Sequence, residues 1–231
     1  MGSREWADTW AAVHDERRAL SADLAQVDPA RWADASLCSG WDIHDVVAHL
    51  IDSATTTRLG FARRMLAARF DFDRDNEVGV SRERRSSPAE TLAAFDRIVP
   101  ATATPPAARA TRLVEAVVHG EDIRRPLGLH RDYPLPHVLP ALAYQLKTSV
   151  AMGGGRQRAA GFRLIPTDAP ATALPSTHRA PGSTHKSRTP EAAVRAPALT
   201  LLLAVSGRPV DEAEFEGPGA QAFAEHLAAS G

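Results

Sequence analysis

With 231 residues, 44% of them hydrophobic and 24% charged, the chain has the size and composition of one large or two small soluble globular domains. A formal net charge of -1 offers no basic footprint for nucleic acid or an anionic membrane, and no apolar run approaches the length of a membrane span. The single cysteine, Cys38, excludes an intramolecular disulfide and a cysteine-built zinc cage; with no signal-peptide core at the N-terminus, it suits a cytoplasmic protein.

Trp6, Trp10, Val13, Arg17, Leu20 and Leu24 recur at three- and four-residue steps and predict one amphipathic helix over residues 4–26. A loop follows through Pro29 and the Gly40-Trp41 turn. Asp42 stands where an N-cap should, with Asp45 three residues on, resembling a capping box. Ile43, Val46, Val47, Leu50, Ile51 and Ala54 form the apolar stripe of a second helix, predicted to end near Phe70. Residues 71–85 are polar and charged and read as a loop. Ser87-Pro88-Ala89-Glu90 opens a third helix, with a capping serine, a first-turn proline and an early acid. Pro100 and the Pro105-Pro106 pair interrupt it. A fourth helix is predicted over 107–125, stopping at Pro126, and a fifth over 136–152, stopping at Gly153-Gly154-Gly155.

The character then changes. Residues 161–166 read as a short strand, 166–197 as a loop crowded with Pro, Ser, Thr and His, 198–206 as a buried helix closed by Gly207, and 218–229 as a last short helix. The expected architecture is mainly α: a helical bundle over residues 1–155, then a small α/β C-terminal domain over 156–231 carrying the Pro/Ser/Thr-rich loop.

Glu115 and His119 lie four residues apart in the fourth helix. Four residues turn an α-helix by about 400°, so both side chains point the same way. His49 sits about 60° beyond Val46, at the edge of the second helix's apolar stripe. Positions flanking a core stripe face the grooves between helices, where bundle metal sites are built. Two imidazoles and a carboxylate would make a three-ligand divalent-metal site with an open coordination position. Spacing leaves a second reading open: a Glu/His pair arises often by chance on a solvated helix face, and His49 alone can be a satisfied or surface histidine. Asp45 could orient the ring of His49 or serve only the capping box, and Asp122 could orient His119 or only face solvent. Arg124 and Arg125 suit the negative end of the helix dipole. Cys38 has no evident neighbouring base and reads as a small loop or buried thiol, and His178 and His185 read as solvated.

The stretch from Gly40 to Leu50, Gly-Trp-Asp-Ile-His-Asp-Val-Val-Ala-His-Leu, resembles the signature of the mycothiol-dependent maleylpyruvate isomerase family, within the DinB-like helical-bundle superfamily. The stretch from Glu115 to Gly128, with its His-Gly-Glu-Asp-Ile-Arg-Arg-Pro-Leu-Gly core, resembles the second signature. The resemblance implies a DinB-like four-helix bundle in which His49, Glu115 and His119 bind a divalent metal. Zinc is the family's usual metal, and the mixed nitrogen and oxygen donors also suit nickel or manganese. It implies mycothiol as thiol cosubstrate, a small electrophilic substrate, and isomerase or S-transferase chemistry. It also relates Arg208 to an arginine that meets an acidic substrate, where an ordinary turn residue is the alternative. Between residues 168 and 197 the family's compact strand pair is replaced by proline-rich sequence, which predicts a mobile loop over the pocket mouth. Two rivals stand beside this reading: a metal-dependent hydrolase on the same bundle, and a non-enzymatic small-molecule- or partner-binding protein.

Overall fold

The computed structural model describes residues 2–68, 71–170, 172–174 and 192–230. Among these the protein is mainly helical, with nine α-helices and one two-stranded parallel sheet. The chain divides into two compact units, Met1–Asp132 and Tyr133–Gly231.

The first unit holds α1 (Gly2–Leu24), α2 (Ile43–Thr55), α3 (Arg58–Ala67), α4 (Phe72–Glu83), α5 (Pro88–Ile98) and α6 (Ala110–Leu127). Helix α2 is its centre, packing on α4, α5 and α6, while α1 packs on α5 and α6. The start of α2 is fixed by the expected capping box. Asp42 accepts from the Asp45 N–H at 2.8 Å, and Asp45 accepts from the Asp42 N–H at 3.3 Å. The predicted stripe of α2 is the core: Ile43, Val46, Val47, Leu50, Ile51 and Ala54 pack with Leu20, Leu24, Trp32, Phe95 and Ile98.

Helix boundaries depart from the sequence reading in three places of this unit. The second helix does not continue toward residue 70 but breaks after Thr55, and α3 restarts with Thr57 as its cap, accepting from the Gly60 N–H at 3.1 Å. The hydroxyls of Thr55 and Thr56 turn back onto the Asp52 carbonyl at 3.1 and 2.8 Å. Threonine hydroxyls that compete for backbone groups favour such a break. The polar segment expected to be a loop is α4, capped by Asp71. It is held by charge rather than by an apolar stripe. Arg64 donates to Asp52 at 2.7 Å and to Asp75 at 2.9 Å, and Arg82 pairs with Asp52. Gly79 lets α4 approach this group, because a Cβ there would lie 2.4 Å from an Asp52 carboxylate oxygen. Pro126 falls inside the last turn of α6 instead of stopping it, and the helix closes at Gly128 with φ +72°.

In the second unit α7 (Leu135–Gln145) packs on α8 (Ala198–Val205), and α9 (Ala220–Ala228) packs on β2. Strand β1 (Phe162–Pro166) pairs in parallel with β2 (Ala192–Ala196), Phe162 opposite Ala192 and Pro166 opposite Ala196. The sequence placed β2 inside a loop. Its alternation of buried Val194 and Ala196 about exposed Arg195 is too short to stand out beside prolines. The fifth predicted helix is shorter than expected, ending at Gln145, with a single 3-10 turn at Val150–Met152 before the glycines. The triple glycine lies within this unit, and a Cβ on Gly155 would come 2.3 Å from the Val205 carbonyl oxygen. Residues 175–191, with His178, His185 and most of the predicted loop, lie outside the described residues. No described helix is long and apolar enough to cross a membrane.

Candidate functional site

Where α2 and α6 pack, two polar stripes face each other. On α6 Arg112, Glu115, His119 and Asp122 follow at steps of three and four residues; on α2 His49 and Ser53 lie one turn apart. The rings of His49 and His119 are in edge contact, with centroids 5.0 Å apart. Trp41 also packs against His49, at 5.0 Å between centroids.

Each expected residue has a definite environment. His119 Nδ1 is hydrogen-bonded to the fully buried Asp122 carboxylate at 2.9 Å, which fixes the ring and leaves Nε2 for another partner. Asp122 is thus placed where it would orient His119. Pro126 adds to this arrangement: having no N–H, it cannot bond the Asp122 carbonyl one turn back, and that carbonyl accepts from the Leu37 N–H at 3.2 Å. The loop leading to Trp41 is thereby tied to α6. Asp45 does not orient His49. Its carboxylate serves the capping box and accepts from Arg84 at 2.5 Å. Arg208 lies in the second unit, in the turn after α8, where it donates to the Ser206 carbonyl at 2.8 Å.

Glu115 accepts a hydrogen bond from Ser53 and pairs with Arg112 at 3.1 Å, both through Oε2. Burial pushes its carboxyl up, but Arg112, His49, the Ser53 hydroxyl and His119 outweigh that and hold it below the usual carboxylate range. His49 is the unusual member. Its Nδ1 is buried with no hydrogen-bond partner among the described residues. Burial, assisted by His119, pushes its pKa down to about 3 against the opposing charge of Glu115. The ring is therefore neutral at neutral pH, the form that binds a metal. Burying an unsatisfied imidazole nitrogen costs free energy, so such an atom calls for an explanation.

Residues 13–124 match the family described as the mycothiol maleylpyruvate isomerase N-terminal domain. This segment of the chain belongs to that family. The whole chain also resembles a crystal structure of the mycothiol-dependent maleylpyruvate isomerase, with TM-score 0.56 and 16% identity over 93% of each chain. A second crystal structure, of a histidine-to-alanine mutant of a mycothiol-dependent maleylpyruvate isomerase, matches with TM-score 0.55 and 16% identity over 88% of this chain and 90% of that one. At this identity the likeness establishes a maleylpyruvate isomerase-like fold. A search of curated proteins finds no match.

His49, Glu115 and His119 all fall within the segment that matches the isomerase domain. Among the described residues no three His, Cys, Asp or Glu side chains already stand as a metal-holding group. The donor chemistry nevertheless fits a divalent cation: an unmet buried imidazole nitrogen, a second imidazole held by a carboxylate, and an ionised carboxylate. Sequence reasoning passed over Ser53 and Arg112, although the spacings 49/53 and 112/115 on predicted helices place them beside the candidate ligands.

Proposed function

We propose that the protein is a metal-dependent thiol enzyme, an isomerase or S-transferase that uses mycothiol on a small electrophilic substrate. The observation that carries this reading is the unpartnered Nδ1 of His49, against His119, in a segment of the mycothiol maleylpyruvate isomerase N-terminal domain family. His49, Glu115 and His119 would hold the metal, zinc first, with nickel or manganese as alternatives. A divalent metal there would supply Lewis acidity and favour the thiolate form of a thiol, whose pKa in water is about 8.5.

The chain's own residues prepare that chemistry. Asp122 fixes the tautomer and direction of His119. Burial keeps His49 unprotonated, so no proton competes for its nitrogen near neutral pH. Trp41 packs on His49 and shields that side of the ring from water. In an isomerase, thiolate addition to an activated double bond permits rotation, and elimination returns the thiol. In an S-transferase the thiolate displaces a leaving group.

Two measurements test the reading in sequence. Elemental analysis of protein offered zinc, nickel and manganese should give near-stoichiometric metal, lost in His49→Ala and His119→Ala. Calorimetry of mycothiol binding in two buffers of different ionisation enthalpy should then reveal a released proton, because the thiol arrives protonated and is held as thiolate. Tight binding without proton release would place the sulfur away from the metal. Turnover of an ester or amide in thiol-free buffer would instead identify a hydrolase, and absence of bound metal would leave a non-enzymatic binding protein.

A further inference from the structure

Glu115 is gripped on one side only. Arg112 Nη1 donates to the Ser53 hydroxyl oxygen at 3.1 Å and lies 3.1 Å from Glu115 Oε2. With a donor already directed at the Ser53 oxygen, the Ser53 hydrogen turns to Glu115 Oε2, which accepts it. Both partners of the carboxylate thus meet the same oxygen, and among the described residues Oε1 receives no hydrogen bond. Ser53 stands one turn beyond His49 on the same face of α2, and Arg112 stands one turn before Glu115 on α6. The grip therefore links the helix carrying His49 to the helix carrying Glu115 and His119. The side chain of Arg112 is 6% exposed and that of Glu115 13%, so water competes little for these bonds.

We infer that Ser53 is a positioning residue: its hydroxyl, set by Arg112, holds Oε2 of Glu115 so that Oε1 is presented to the metal. This inference rests on the metal reading given above and adds a residue to it. A ligating carboxylate that is itself hydrogen-bonded is held in one orientation, and losing such a partner typically weakens a metal by roughly 10–100-fold.

Cobalt(II) reports both affinity and geometry, the first by chelator competition and the second by its visible absorption bands. Ser53→Ala should weaken cobalt at least about tenfold and alter the bands, while metal-free Ser53→Ala still melts cooperatively. Ser53→Thr keeps the hydroxyl and should restore wild-type bands and an affinity within a few-fold. A purely structural role for Ser53 would lower the melting temperature of the metal-free protein and leave the cobalt bands unchanged. Ser53→Ala that binds cobalt as tightly as wild type, with the same bands, overturns the inference and leaves the metal site standing. Wild type that binds no cobalt removes the metal reading and this inference with it.

Discussion

Helix α6 carries two buried polar clusters that are built on opposite principles. At its C-terminal end Arg124, fully buried, meets Glu16 at 2.5 Å and Asp23 at 2.6 Å, and Arg131 meets Glu16 at 2.6 Å. Each of these groups faces one of opposite charge. Two turns earlier Glu115 and His119 share their space with a neutral imidazole whose Nδ1 has no hydrogen-bond partner among the described residues. The first cluster is closed and fastens α6 to α1. The second is met at Glu115 Oε2 and at His119 Nδ1 but open at His49. Burial alone does not separate the two, since both are sheltered. Pairing separates them: each charged group of the first cluster meets one of opposite sign, whereas the Nδ1 of His49 has no hydrogen-bond partner among the described residues.

The closed cluster should dominate stability. Arg124→Met leaves Glu16 buried and short of a partner, and breaking a buried ion pair from one side typically costs ~3–5 kcal/mol. Urea denaturation of the metal-free protein should show a loss in that range. A loss below ~1 kcal/mol would mean that the cluster is no more fastening than a surface pair, and the contrast between the two ends of α6 would collapse.

The apolar face of α2 supports both clusters, and Leu50 is 5% exposed within it. Leu50→Ala should cost ~2–5 kcal/mol. If denaturation shows a change within ~0.5 kcal/mol, the expectation for a surface position, the packing of α2 described above is wrong. The open cluster should behave differently, gaining stability only when something is added. Metal at one hundred times its dissociation constant should stabilise wild type by ~2.7 kcal/mol, through binding to the native state alone. Thermal melts of His119→Ala should show no such gain, while Arg124→Met, if still folded, should show it in full. A metal-induced gain that survives in His119→Ala would move the site elsewhere.

Much of this contrast was legible in the chain, for reasons that differ by residue. His49, Glu115 and His119 could be picked out because helix spacing is a local property, and the capping box at Asp42 and Asp45 is equally local. Arg124 was misread as a partner of the helix dipole. Its true partners, Glu16 and Asp23, are 108 and 101 residues away in sequence, and no local pattern announces them. A signal did exist: Leu113, Val117, Gly120, Arg124 and Leu127 follow one buried stripe, and an arginine on such a stripe needs a carboxylate. Helix α4 escaped for the same reason on a larger scale, because Arg64, Asp52 and Asp75 replace the apolar period that identifies a helix. Asp45 was an even choice between two roles, and the choice turned on Arg84, which no pattern near Asp45 reveals.

The smallest expected effect compares two histidines of α2. His44 and His49 both have pKa values pushed down from 6.5, each mainly by burial. His44 has a partner, with Nε2 2.6 Å from the Thr91 hydroxyl, and Arg84 adds to its lowering. His49 has no hydrogen-bond partner at Nδ1 among the described residues and is lowered to about 3. In both cases the unfolded chain takes up the proton first as pH falls. The stabilising contribution is therefore fully present above 6.5 and is lost as pH drops from 6.5 toward the folded-state value. One pH unit into that window the loss is at most ~1.4 kcal/mol for each histidine. In metal-free protein, denaturation at pH 7.5 and 5.5 should show this loss, and both His44→Gln and His49→Gln should reduce it. At pH 7.5 saturating metal should raise the stability of His44→Gln as it does that of wild type and leave His49→Gln unchanged, because only the ring of His49 offers the metal an unmet nitrogen. Equal metal dependence in the two variants would mean that the ring of His49 is as closed as that of His44, and the openness of its cluster would have no chemical consequence.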